Sequence, residues 1–349
     1  MLSRVALLSL ETWDDTWRRN QHLVSRLIEG GHVGELLWIS PPSRTAVPAR
    51  RPLPGITVMT PRLRVPRRLG GLKIVAAELR PRLASVDLLW INDPRLGQAC
   101  LTRRTPALYD VTDDWRSYAF PERIVRKIVQ AEDQLVGRSM TVVCSPVLAT
   151  RWVDRYAIHP AVVRNGVDLG SHRRAIAVTL PGSGPHVGYL GTLQGERLDL
   201  DLLLALAALP AVGTVHLVGP DALDPNDRRT LEAAGVRVAP PVPAGDVPGV
   251  MAAMDLLVAP HLVNAFTLSL DAIKSYEYTA SGRPVVATPT SGFQDLLEAG
   301  VRTATGEAFL TAVTETLNDP SLHRTRTVLG SCWDDRVLEF AALLEQACL

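Results

Sequence analysis

Lysine is nearly missing from this sequence, since only Lys73, Lys127 and Lys274 among its 37 basic residues are lysines. The formal net charge is +1, so the chain lacks the positive excess that marks a dedicated nucleic-acid-binding protein. No apolar run approaches the roughly 20 residues that span a bilayer, and the first ten residues show no signal-peptide cleavage pattern. We therefore expect a cytoplasmic protein without a nucleic-acid partner or a transmembrane segment, while a peripheral membrane contact stays open.

Residues that hold metals or cofactors are also scarce. The four cysteines, Cys100, Cys144, Cys332 and Cys348, are scattered and form no C-x-x-C pair, and the eight histidines form no H-E-x-x-H motif. The segment Asp199-Leu200-Asp201 has the D-x-D pattern of a metal site, but it falls in a predicted helix, where the two carboxylates diverge. We expect no metal and no bound cofactor.

The arrangement of apolar segments predicts two domains. At roughly 150 residues per domain, 349 residues favour two, and short apolar runs alternate with amphipathic stretches, which predicts parallel sheets with helices on both faces. This pattern breaks over Asn165–Gly184 and then resumes, which predicts a linker at 167–185. We predict an α/β protein of two doubly wound, Rossmann-like domains, 1–166 and 186–330, facing an interdomain cleft and followed by a helix within 331–349.

Ligands of doubly wound sheets bind at the carboxyl ends of the strands. After the first predicted strand stands Glu11-Thr12-Trp13-Asp14 instead of G-x-G-x-x-G, and no Walker A loop is present, which disfavours NAD-binding and P-loop proteins.

A strand that ends at Pro260 is followed by a loop and a helix predicted over Leu270–Ala280. Free amides around Ser269 and Leu270 at the helix start would bind an anion. Glu277, about two turns further on, could accept hydrogen bonds from both hydroxyls of a ribose. The alternative is that Asp271, Lys274 and Glu277 form ion pairs on a solvent-facing helix surface.

Three sequence blocks resemble GT-B retaining glycosyltransferases of family 4. Residues 277–286, E-Y-T-A-S-G-R-P-V-V, are similar to the family's E-x-x-A-x-G-x-P-V-V block, whose glutamate holds the donor ribose. Residues 163–168, V-R-N-G-V-D, resemble its P-N-G-V-D block, with Arg164 in place of proline. Residues 188–193, followed by Arg197, resemble its G-R-L-x-x-x-K-G block, which grips the donor diphosphate.

The beginning of the chain adds a narrower resemblance. Residues 13–21, W-D-D-T-W-R-R-N-Q, together with 109–115, Y-D-V-T-D-D-W, look like a subgroup of teichuronic-acid-type and related actinobacterial glycosyltransferases. The resemblance implies metal-independent transfer of a sugar, with retention, from a nucleotide diphosphate sugar to a natural-product or cell-envelope acceptor. It also implies a donor-binding domain at 186–330, an acceptor-binding domain at 1–166, and a last helix that crosses back onto the first domain.

Candidate site residues follow from these blocks. The residues assigned to the donor nucleotide sugar are Gly191, Thr192, Arg197, Asn264, Ser269, Leu270, Lys274 and Glu277. The residues assigned to catalysis are Arg197, Lys274 and Asp113, and those assigned to the acceptor are Trp13, Asp14, Arg18, Asp114 and Trp115.

Each assignment has an alternative. Arg197 could pair with Asp199 or Glu196, one of Asp113 and Asp114 could cap a turn, and the tryptophans could line the core. Where the family has its first glutamate, eight positions before Glu277, this sequence has Ser269; the loop is longer here, and the alternative is that Asn264 lies in that glutamate's place. Two other classes stay open: a nucleotide-sugar epimerase or hydrolase on the same fold, and a non-catalytic carbohydrate-binding protein. The sequence does not select UDP, GDP or dTDP.

Overall fold

The computed structural model describes residues 1–319, 321, 324–328 and 330–349. Contacts within the chain divide it into two compact units, Met1–Arg164 with Trp333–Leu349, and Asn165–Cys332. The first unit thus ends two residues before residue 166, and the segment expected as a linker belongs to the second unit.

The first unit is built on an eight-stranded sheet. Its strands are β1 (Leu2–Leu8), β2 (Val33–Ile39), β3 (Val47–Leu53), β4 (Ile56–Thr60), β5 (Leu88–Ile91), β6 (Ala107–Val111), β7 (Met140–Val143) and β8 (Ala161–Val162). The order is β3-β4-β2-β1-β5-β6-β7-β8, and every neighbouring pair is parallel except β3–β4. Its helices are α1 (Arg19–Glu29), α2 (Gly71–Leu83), α3 (Pro94–Cys100), α4 (Glu122–Leu135) and α5 (Pro146–Tyr156).

The central strands form because their residues are apolar on both faces. Val5 to Leu8 of β1 and all of β5 are buried, as expected for parallel strands that are covered by helices on both sides. The edge strand β3 contrasts with them, since it is mostly exposed and contains two prolines and two arginines. It pairs with β4 through a turn in which Gly55 adopts a φ of +75°, a conformation that favours glycine.

The second unit carries a six-stranded parallel sheet. Its strands are β9 (His186–Leu190), β10 (Thr214–Val218), β11 (Arg237–Ala239), β12 (Leu256–Ala259), β13 (Val285–Ala287) and β14 (Arg302–Thr303), in the order β11-β10-β9-β12-β13-β14. Its helices are α6 (Leu169–Arg173), α7 (Leu200–Ala207), α8 (Pro225–Ala233), α9 (Val247–Ala252), α10 (Ile273–Ala280) and α11 (Gly306–Asn318). The predicted fold class, two doubly wound α/β domains, is confirmed.

The last helix, α12 (Trp333–Gln346), packs on the first unit. Its buried residues recur at helical spacing and face α1 and the sheet. Trp333 stacks on His22 with 4.7 Å between ring centroids, and the Phe340 ring lies 4.6 Å from that of Trp90. An ion pair of 2.9 Å joins Asp334 to Arg26 of α1, so one continuous apolar strip with a polar flank holds the chain's end on the first unit.

A buried ion pair ties α1 to the centre of the first sheet. The Arg19 guanidinium donates from Nε and Nη2 to the two carboxylate oxygens of Asp110 in β6, both at 3.2 Å. The Arg19 side chain is 6% exposed and that of Asp110 is fully buried. Nη1 of Arg19 also donates to the carbonyl of Arg164 at 3.2 Å, which fixes the last residue of the first unit's main segment.

Replacing Arg19 by alanine should strongly destabilise the first unit. The substitution leaves the Asp110 carboxylate buried without its counter-charge, and breaking such a pair costs about 3–5 kcal/mol. Urea unfolding should show this loss, whereas Arg126→Ala, which removes an exposed i,i+4 pair with Glu122, should cost less than about 0.5 kcal/mol. Equal effects of the two substitutions would show that the buried pair does not support the fold.

Candidate functional site

The polar residues of the second unit converge where its strand order reverses. Strands β9 and β12 are neighbours, although β10 and β11 lie on one side of them and β13 and β14 on the other. Gly191 directly follows β9, and His261 follows β12 after one residue. The carboxyl ends at such a reversal leave a crevice in which doubly wound sheets bind ligands.

Gly191 lets the loop after β9 lie against a lysine. An added Cβ would lie 2.5 Å from Nζ of Lys274, and the residue has a φ of +152°. Gly219, after β10, is equally constrained, since its Cβ would lie 2.1 Å from the carbonyl oxygen of Gly191. Both positions therefore require glycine, and together they place bare backbone beside an ammonium group.

Lys274 is held over the Tyr189 ring. Its Nζ lies 4.4 Å from the ring centroid and donates to the phenolic oxygen at 2.6 Å. The same phenol lies 3.3 Å from the carbonyl oxygen of Thr192 and 3.3 Å from Nε2 of His261. Burial holds the pKa of His261 well below its usual range, and the charges of Lys274 and Arg197 lower it further. His261 is therefore a neutral member of this network.

Arg197 belongs to the same cluster. Its guanidinium carbon lies 5.0 Å from the centroid of the Phe266 ring, and its carbonyl accepts from the amide of Leu262 at 2.8 Å. Asp199, a possible partner of Arg197, has another role, because its carboxylate accepts from the amide of Leu202 at 3.0 Å as the N-cap of α7. Two cations therefore stand near the end of β12.

The helix expected from Leu270 begins three residues later. Leu270 is extended (φ −70°, ψ 153°), Ala272 is the N-cap and α10 starts at Ile273. A short 3₁₀ helix over Thr267–Ser269 precedes it. The amides at the start of α10 are thus those of Ile273 and its successors, and the expected anion site around Ser269 and Leu270 is not at the N-terminus of α10.

The two polar residues of this loop serve its own turn. Ser269 is fully buried, and its hydroxyl donates to the carbonyl of Phe266 at 2.7 Å. The Asn264 side chain accepts from the amide of Thr267 at 3.0 Å, a bond within the turn that leads into the 3₁₀ helix.

A buried carboxylate explains the late helix start. Asp271 accepts from the amide of Asn165 at 2.5 Å and from the hydroxyl of Tyr276 at 2.8 Å, while the Asn165 side chain donates to the Asp271 carbonyl. These bonds hold the segment before α10 against Asn165. Asp271 is therefore not part of a solvent-facing row of ion pairs.

Glu277, unlike Asp271, has no partner among the described residues. Its half-buried carboxylate forms no hydrogen bond or ion pair with a described residue. Burial raises the pKa of Glu277 to about 7, although the charge of Lys274 opposes this shift. A half-buried acceptor one turn from a lysine is what a hydroxyl-bearing ligand beside an anion would need.

In the first unit, three of the residues assigned to the acceptor have structural contacts. Asp14 accepts from Nη1 of Arg18 at 3.0 Å, and Trp13 is buried with its ring 5.1 Å from that of Trp38. Trp13 therefore lines the core, and Asp14 with Arg18 closes the loop before α1.

Asp114 is likewise committed within the first unit. It is buried, pairs with Arg151 at 2.5 Å and accepts from the Ser117 hydroxyl at 2.9 Å, so it orders the turn after β6, as the capping alternative predicted. Trp115 is half-buried and stacks on Phe120, with 6.2 Å between ring centroids and 13° between the planes.

Glu11, which the sequence analysis did not single out, occupies the strand reversal of the first sheet. It follows β1, the neighbour of β5 where the strand order turns. Burial raises the pKa of Glu11 to about 7; Arg18 opposes this shift, while Asp113 and Asp14 add to it. Asp113 accepts from the Thr112 hydroxyl at 3.0 Å. The position of Glu11 after the first strand was the signal that could have found it.

Two classes of feature were not found in the part of the chain that the structure describes. No helix there has both the length and the apolar character needed to cross a bilayer. The same residues contain no group of three or more His, Cys, Asp or Glu side chains placed to hold a metal ion.

The raised pKa of Glu277 predicts a pH-dependent stability. A folded-state pKa of about 7 against an ordinary 4.5 gives a stabilisation that is complete below about pH 4.5 and is lost as the pH rises through about 7. Between pH 5 and pH 8 wild type should therefore lose about 1–3 kcal/mol relative to Glu277→Gln in urea unfolding. The exposed Glu298→Gln is the control, and identical pH profiles for wild type and Glu277→Gln would contradict the burial of this carboxylate.

Comparisons with known proteins agree with this geometry. Residues 184–319 match the family described as glycosyl transferases group 1. Over 200 residues the chain is 26% identical to a protein of Bacillus subtilis named as a teichuronic acid biosynthesis glycosyltransferase, TuaH, an alignment that covers 52% of this chain and 50% of that protein. The chain thus spans about half the length of the curated relative that it matches.

Solved structures are similar over the whole chain. Sucrose-phosphate synthase from Thermosynechococcus elongatus superposes with a TM-score of 0.74 at 17% identity, covering 99% of this chain and 97% of that one. HepE of Anabaena in complex with UDP-glucose superposes with a TM-score of 0.69 at 18% identity, covering 99% and 98%. The chain therefore has the GT-B fold and, through residues 184–319, resembles the GT-B glycosyltransferases of family 4.

Proposed function

We propose that this protein transfers a sugar from a nucleotide diphosphate sugar to an acceptor, with retention and without a metal. The observation that carries the proposal is the arrangement of Gly191, Lys274 and Glu277 at the strand reversal of the second unit, where bare backbone, an ammonium group and a carboxylate without a described partner lie together. HepE, of the same fold, holds UDP-glucose in one structure, which favours UDP as the first nucleotide to test.

Glu277 is proposed to bind the ribose of the donor. An ionised carboxylate offers only acceptor sites and can accept hydrogen bonds from both vicinal hydroxyl groups at once. Its desolvation raises its pKa, so a ligand that donates two hydrogen bonds stabilises the charged form and is bound more tightly in return. Thr192 and Gly191, which begin the loop after β9, are proposed to line the same site.

Arg197 and Lys274 are proposed to stabilise the leaving diphosphate. In the reaction, the bond between the anomeric carbon and the diphosphate oxygen breaks and that oxygen keeps the electron pair. The nucleophilic atom of the acceptor bonds to the anomeric carbon and passes its proton to the departing diphosphate oxygen. Negative charge therefore grows on the diphosphate, and fixed cations aimed at it lower the barrier. Two cations supply this charge without a metal, and retention is proposed from the family resemblance.

The acceptor is proposed to bind to the first unit, with Asp113 and Trp115 as its contacts. Glu11 joins them because its pKa of about 7 suits a group that takes up and releases a proton near neutral pH. Trp13, Asp14, Arg18 and Asp114 keep the structural roles described above.

Glu277→Gln should weaken nucleotide binding while the protein stays folded. Glutamine keeps the shape but loses charge-assisted acceptance, which is worth about 1.5–3 kcal/mol per bond, so the Kd for UDP should rise about tenfold or more. Isothermal titration with UDP, GDP and dTDP measures this and also identifies the base. Glu298→Gln should bind as wild type, and an unchanged Kd in Glu277→Gln would remove Glu277 from the site.

Arg197→Ala should lower turnover more than it weakens binding of the nucleotide sugar. The interaction tightens as charge develops on the leaving group, so its loss affects mainly kcat, by about 10²–10³. Arg197→Lys should recover part of the rate, because it restores the charge but not the two-pronged geometry.

Product formation must be followed directly and with acceptor present, since turnover without acceptor would instead indicate a hydrolase or epimerase. Arg229→Ala, which removes an exposed arginine of α8, is the matched control. Normal kinetics in an Arg197→Ala protein that is merely less stable would assign Arg197 a structural role.

A further inference from the structure

The first unit contains a segment whose charged residues are all basic, and the proposed function assigns no role to it. Between Glu35 and Glu78 the sequence has eight basic residues and no acidic residue, in a chain whose net charge is only +1. Most of these basic side chains lie on or after the strands β3 and β4. Nearly all basic residues of this chain are arginine, so their being arginine here carries no information. What distinguishes this segment is that it contains no acidic residue.

Three of these arginines surround one open groove. It is lined by Arg44, Arg62, Leu63, Arg64 and Pro66. Arg44 follows β2 and Arg62 follows β4, so the groove lies at the carboxyl ends of these parallel strands. That is the edge at which doubly wound sheets bind ligands.

The backbone around the groove is fixed before any ligand arrives. The amide of Ser43 donates to the carbonyl of Pro61 at 3.0 Å, and the amide of Leu63 donates to the carbonyl of Ser43 at 2.7 Å. Leu63 packs against the core of the first unit, while its neighbours Arg62 and Arg64 are exposed. The pairing of the two loops thus holds the segments that carry Arg44 and Arg62 side by side.

The protein neutralises little of the charge around the groove. Arg44 and Arg62 form no ion pair or hydrogen bond through their side chains with any described residue, and Arg64 has only an exposed contact of 3.8 Å with Glu78. The start of α2 is next to the groove wall, since a Cβ on Gly71 would lie 3.0 Å from the Leu63 side chain. Its first turn has no acidic residue, so its helix dipole adds positive potential.

We propose that this groove binds a phosphate group of the acceptor. Three guanidinium groups carry more positive charge than a carboxylate monoanion would need, so they suit a phosphate dianion, whose oxygens they can bind in pairs. The assignment of this phosphate to an acceptor rests on the proposed function, whereas the phosphate site itself does not. A lipid headgroup and a soluble phosphate ester both present this phosphate chemistry to the groove.

The test compares two double variants of the full chain. Arg44→Ala/Arg62→Ala removes two charges from the groove. Arg103→Ala/Arg104→Ala removes two exposed charges just before the amino end of β6, whereas the groove lies at the carboxyl ends of β2 and β4. Isothermal titration with inorganic phosphate at low ionic strength should show at least a tenfold loss of affinity in the first variant and none in the second. Arg44→Gln/Arg62→Gln repeats the test with bulkier side chains in case the alanine variant folds poorly.

Two results overturn the proposal: wild type that does not bind phosphate, and equal losses in the groove variant and the control variant. Sedimentation with phosphatidylcholine vesicles containing phosphatidic acid then identifies the source. Sedimentation of the protein with the vesicles that requires Arg44 and Arg62 supports a lipid phosphate. Binding of inorganic phosphate without sedimentation with the vesicles supports a soluble ester.

Titration of the same proteins with UDP-glucose keeps the two proposals apart. The groove variant should bind UDP-glucose as wild type does, because the proposed donor residues lie in the second unit. Wild type that binds phosphate but no nucleotide sugar would contradict the proposed function and leave the phosphate site standing.

Discussion

The candidate site is built around the close approach of the Gly191 backbone, which has a φ of +152°, to the Lys274 ammonium group. Because Gly191 has no Cβ, the loop after β9 can lie beside a lysine that is itself held over the Tyr189 ring. Gly219, after the neighbouring strand β10, is constrained in the same way. Because it has no Cβ, its backbone can contact the carbonyl group of Gly191 directly. The strand reversal provides the crevice, and these two glycines keep it open.

The groups around that crevice differ in how far the fold has satisfied them. Asp271 has its hydrogen bonds from Asn165 and Tyr276 and serves only to hold the chain. Glu277, in the same segment, is desolvated without a described partner and has a raised pKa. Carboxylates buried at such a cost are enriched at functional sites, where a ligand supplies the missing interaction. The contrast between the two acids separates the scaffold from the proposed binding group.

Much of the fold could be predicted because buried parallel strands are apolar on both faces, as in β1, β5 and β12. The edge strand β3 escaped prediction because its prolines and arginines do not resemble a buried strand. The start of α10 was misplaced because its position depends on Asp271 binding a residue more than a hundred positions away. Glu277 could be found from its motif. The position of Glu11 after the first strand could also be read from the sequence, but its raised pKa could not, because it arises from burial and from neighbours that only the folded chain brings together.

The central claim is that Gly191, Lys274 and Glu277 form the site of a nucleotide diphosphate sugar. A crystal structure of the protein with UDP-glucose tests it most directly. The account predicts both ribose hydroxyls within about 3 Å of the Glu277 carboxylate and the diphosphate beside the backbone of Gly191 and the ammonium group of Lys274. A nucleotide bound elsewhere, with Glu277 outside hydrogen-bonding distance of the ribose, would contradict it.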